Sequence, residues 1–91
     1  MSLRRYGILL KKYLKEVKPM KYSTLTIDGT LMDYLLEEEK YLYEFADIVR
    51  LYLKDTYPEP KTHEFVVIAK YNQIIENMVE EFVRSEIMKI V

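Results

Sequence analysis

The stretch that decides the fold is Thr30–Thr56, TLMDYLLEEEKYLYEFADIVRLYLKDT, followed at once by Tyr57-Pro58-Glu59-Pro60-Lys61. Its apolar positions Leu31, Tyr34, Leu35, Tyr41, Leu42, Phe45, Ile48, Val49, Tyr52 and Leu53 recur with helical spacing and gather on one side of a wheel. Thr30 reads as the N-cap, with Asp33 three residues on imitating a capping box. Proline at 58 and again at 60 cannot continue the helix, so residues 57–61 form a linker. The spacing predicts one helix over residues 30–56.

Beyond the linker, Thr62 reads as the cap of a helix over residues 62–89. Its apolar arc, from Phe65 through Tyr71, Ile75 and Val79 to Phe82 and Ile90, covers nearly half the circumference. Two helices of ~25 residues, each ~38 Å long, joined by a short proline turn should pack as an antiparallel hairpin. Towards the N-terminus, Leu3, Tyr6, Leu9, Leu10, Tyr13, Leu14 and Val17 share one side of a helix over residues 3–17. Pro19 suits the first position of a short helix over 19–28, and Gly29 suits the left-handed residue that ends it. The expected fold is all-α: a long antiparallel helical hairpin with a shorter N-terminal helix pair packed on it, a three- to four-helix bundle. Ninety-one residues form one helical domain, near the lower limit for a core that stands alone.

Charge divides the same chain differently. Residues 1–21 hold seven Lys/Arg against Glu16; residues 22–59 hold three basic and nine acidic residues. The formal net charge of −1 conceals this split. On the first helix Arg4, Arg5, Lys11, Lys12, Lys15 and Lys18 fill the side opposite the apolar stripe, with Ile8 among them. This face either neutralises acids of the 30–56 helix, within the fold or across a dimer, or contacts an acidic partner, a nucleic acid or a membrane surface. A helix-turn-helix across Gly29 is rejected, because its recognition helix would present Asp33, Glu37, Glu38 and Glu39 to phosphates.

Enzymatic classes find little support. Without cysteine there is no thiolate nucleophile, thiolate metal site or disulfide framework. No glycine-rich phosphate loop occurs. His63, the one histidine, falls beside the presumed cap as a solvated first-turn residue, without the orienting partner that acid–base work needs. Glu38 and Glu86 stand where apolar residues belong. A carboxylate metal site would also need a Glu-x-x-His spacing that is absent, so each is expected to meet a tyrosine hydroxyl or a base at the bundle edge. Tyr6, Tyr13, Tyr34, Tyr41, Tyr52 and Tyr71 lie on apolar stripes and read as core-rim residues with wet hydroxyls. No metal, cofactor or catalytic residue is expected, nor a membrane span, since the longest wholly apolar run is Phe65–Ala69.

One further patch lies off the main stripe. Met32, Leu36 and Tyr43 share a second face of the 30–56 helix, with Leu51 nearby. A second apolar patch at helical spacing marks a second contact: an interface, with a homodimer favoured, or the surface on which an N-terminal helix sits.

A family resemblance rests on Tyr6-Gly7, Tyr13-Leu14-Lys15-Glu16, Pro19, Tyr22, Leu25 and Gly29 with Leu31, and near the end on Glu80-Glu81, Glu86 and Ile87. In this order they resemble the TnpV-like small transposon-encoded proteins. The resemblance covers about a third of the chain. Ile8, Leu9 and Leu10 stand where that family usually carries a more basic stretch, which tells against a nucleic-acid role. The resemblance implies an accessory protein of a bacterial mobile element in a cytoplasmic setting, and no reaction. The resulting expectation is a small non-enzymatic helical interaction protein working through protein contacts. The alternative is a nucleic-acid-binding accessory using the basic face.

Overall fold

The computed structural model describes residues 2–91. They form four helices and no strand: α1 (Arg5–Val17), α2 (Pro19–Asp28), α3 (Leu31–Thr56) and α4 (Phe65–Ile90). The all-α expectation holds, and α3 and α4 make the hairpin. Its core is a single seam of Leu35, Leu42, Ala46, Val49 and Leu53 on α3 against Ile75, Val79, Val83 and Ile87 on α4. Tyr6 and Leu10 of α1 complete this core, with Leu14 also fully buried. Each side chain of this size, fully buried, contributes about 1.5–3 kcal/mol.

Several helix ends differ from expectation. α1 begins at Arg5 rather than at residue 3, and Thr30 makes no side-chain cap to α3. α4 begins at Phe65, three residues after the expected start. Thr62 instead accepts the Glu64 N–H at 3.2 Å, a local turn upstream of the helix. His63 therefore lies exposed in the connection and not in a first helical turn.

The end of α2 follows the expectation. Gly29 is left-handed at φ 74°, its N–H reaches Thr26 O at 3.2 Å, and the Thr30 N–H reaches Leu25 O at 3.0 Å. These two bonds satisfy the last carbonyls of α2 and reverse the chain into α3. α2 nevertheless buries no residue, and Met20 and Ile27 are almost wholly exposed. Of the N-terminal pair, α1 supplies the packing.

The molecule is long and thin. It measures 54 × 24 × 18 Å, and its radius of gyration of 16.4 Å exceeds the ~12 Å of a compact chain this size. Hence much apolar surface has no room inside.

Candidate functional site

Two flanks of the hairpin seam have different fates. Residues one position after the buried stripe, Tyr43 and Arg50 on α3 and Glu76 and Glu80 on α4, form the flank that receives α1. Residues one position before it form the other. These are Tyr41, Phe45, Ile48 and Tyr52 on α3, and Ile74, Met78 and Phe82 on α4.

On the first flank α1 is held by a residue the sequence reading did not single out. Glu39 is buried in the α3 stripe, the one buried charged side chain among the described residues. Its Oε2 accepts the Arg4 N–H at 2.6 Å and the Gly7 N–H at 3.1 Å. Arg4 is the N-cap of α1 and Gly7 the third helical residue. Those are the two donors that a capping box satisfies locally; here one carboxylate from another helix takes both. The negative charge also faces the positive end of the α1 dipole. A Cβ at Gly7 would overlap Glu39 Oε2 and lie 2.9 Å from the Leu3 side chain. Glycine at position 7 is therefore a packing requirement of the clamp.

The arginines of the basic face find their carboxylate partners here, with both side chains still largely exposed. Arg4 Nε stands 3.7 Å from Glu39 Oε1, and its guanidinium lies 3.8 Å from the centre of the Tyr43 ring. Arg5 pairs with Glu80, which Arg84 also approaches at 3.4 Å. The rings of Tyr6 and Tyr43 sit 4.4 Å apart. Burial raises the Tyr6 hydroxyl above its ordinary pKa, against the lowering effect of Arg50 and Arg5. Tyr43, one of three residues expected at an interface, is thus covered by α1. That end of the Met32–Leu36–Tyr43 patch is the surface on which the helix sits. Leu36 is half-buried, and Met32 stays exposed.

The lysines differ from the arginines. Lys11, Lys12, Lys15 and Lys18 are exposed and make no ion pair among the described residues. Lys15 stands 5.8 Å from the Tyr22 ring centre. Ile8, in their midst, is exposed.

The second flank is open. Tyr41, Ile48, Tyr52, Ile74 and Phe82 are 45–67% exposed, and Phe45 and Met78 half-buried. Tyr41 and Tyr52 are therefore exposed face residues and not core rim. A shallow depression between Met78, Glu81, Phe82 and Ser85 lies on this side. At one end the Tyr41 hydroxyl donates to Glu86 at 3.3 Å, as expected of that acid. Partial desolvation, then the charges of Glu86 and Glu38, hold the Tyr41 hydroxyl above its usual pKa. At the other end the Tyr71 hydroxyl donates to Tyr57 O at 2.6 Å. Among the described residues no three His, Asp or Glu side chains are placed to hold a metal, and no helix is long and apolar enough to cross a membrane.

No curated protein and no solved structure matches the chain significantly. Residues 1–88 match the family model described as transposon-encoded protein TnpV, so the chain belongs to that family.

Proposed function

We propose that this transposon-encoded protein is a non-enzymatic accessory of its mobile element and acts through protein–protein contacts. The open flank of the hairpin carries this reading: aromatic and aliphatic side chains exposed side by side along two rigid helices. Contiguous apolar patches of this kind mark interaction surfaces.

A second reading is nucleic-acid binding by α1, favoured by the lysines that lack a carboxylate partner. Arg4 and Arg5 are engaged elsewhere, so four contacts remain. Four phosphate contacts would give a logarithmic salt slope of about −3.6 for duplex DNA, at ~0.9 per contact. Titration against duplex and single-stranded oligonucleotides at two ionic strengths separates the readings. Absence of binding at moderate salt supports the protein reading. Binding with that slope, abolished by Lys11→Glu with Lys15→Glu while the helical signal persists, establishes the second.

A further inference from the structure

We propose that the open flank pairs two copies of this chain, antiparallel about a two-fold axis, so that two hairpins close a four-helix core. This rests on the reading that the protein acts through protein contacts, and it names the partner.

Size is the first argument. The face runs from the level of Glu38 to that of Tyr57, about 28 Å at ~1.5 Å per residue, and is about 20 Å wide across two helices. Its projection, roughly 560 Å², is at the top of the ~300–600 Å² found for the largest patch on a monomer. Counting the relief of Tyr41, Ile48, Tyr52, Ile74 and Phe82, it approaches the ~800 Å² that each partner gives to a standard interface.

Shape is the second. At 18 Å the molecule is less than two full helix layers thick. Layered helical folds bury both faces of their inner seam, and a second hairpin laid on this face supplies the missing layer.

Charge selects the orientation. Glu38 and Glu86 both stand at the Tyr41 end. A parallel pair would press these acids against the acids of the other copy. An antiparallel pair places them over the partner's Tyr52 and Tyr71 end instead. Ile48 and Met78, near the middle of the face, then lie by the axis and meet their own equivalents, as an isologous contact requires.

Sedimentation of the full chain across micromolar concentrations should give twice the 11.0 kDa chain mass. Ile48→Glu places two like charges at the axis and should weaken pairing roughly 100-fold or more with the helical signal intact. Met78→Glu should do the same, whereas Met32→Glu, on the other flank, should leave the dimer unchanged. Mild oxidation should cross-link Ile48→Cys copies quickly and Glu38→Cys copies slowly. A monomer at high concentration overturns self-pairing, and a dimer that survives both Ile48→Glu and Met78→Glu overturns pairing through this flank. Rapid cross-linking through Glu38→Cys overturns the antiparallel arrangement. A monomer that also ignores oligonucleotides overturns self-pairing alone and leaves the protein reading intact; a monomer that binds them overturns both.

Discussion

At the scale of single residues, the clamp between Glu39 and the start of α1 makes opposed predictions for neighbouring substitutions. Helix propensity alone says that Gly7→Ala stabilises α1 by about 1 kcal/mol. The overlap with Glu39 says that the carboxylate must move and release buried N–H groups. The overlap should win, with Gly7→Ala costing about 1–3 kcal/mol in denaturant unfolding. Glu39→Ala, which orphans both donors, should cost about 2–4 kcal/mol, and Glu39→Gln about 1 kcal/mol because an amide oxygen can still accept. A Gly7→Ala protein more stable than the parent would disprove the packing argument. Gly7 was visible in the sequence only as half of a Tyr-Gly pair. Glu39 was not legible at all. It sits among three consecutive glutamates, and the apolar arc read from hydrophobicity spread from Leu35, Leu42 and Leu53 round to Tyr41 and Ile48, leaving Glu39 outside it. The true buried stripe passes through Leu35, Glu39, Leu42 and Ala46, displaced around the helix because the arc included a second, uncovered face.

At the scale of elements, the arms of the hairpin are cross-linked by Arg50. Its Nε and a terminal nitrogen donate to Glu76 at 2.6 and 3.1 Å, and its other terminal nitrogen donates to Asp47 at 2.8 Å. The hydrogen bonds from Arg50 hold the Glu76 carboxyl below its ordinary pKa against the opposing effect of desolvation. A depressed folded-state pKa adds stability that is fully present above the ordinary carboxylate range and lost as pH falls through the lowered value. Melting temperature should therefore drop on acidification below about pH 4.3, and Glu76→Gln should flatten part of that drop. At neutral pH the substitution should cost no more than about 1 kcal/mol, since the pair is largely solvent-screened. The two kinds of base on α1 should likewise separate. Reversing Lys11 and Lys15 should change stability by less than about 1 kcal/mol, because neither meets a carboxylate. Arg5→Glu, set against Glu80, should lower the melting temperature clearly. Periodicity, prolines and Gly29 located all four helices. The starts of α1 and α4 were misplaced by two or three residues, because one is capped from another helix and the other has no side-chain cap.

At the scale of the whole molecule, the width of the α4 arc was legible as more apolar surface than one neighbour covers. Which flank α1 would take was not, since Met32, Leu36 and Tyr43 read first as an interface and only second as its bed. A thin molecule that pairs through its hairpin should melt at a temperature that rises with protein concentration. Scanning calorimetry over a hundredfold dilution tests this, and Ile48→Glu should remove the dependence. The clamp on α1 has a further consequence, in time rather than in space. Arg4 is separated from Glu39 by 35 residues, and a ribosome adding about 5–20 residues per second needs roughly two to seven seconds to span that interval. Of the four helices the basic one is synthesised before the others, and it remains without its cap until Glu39 has emerged.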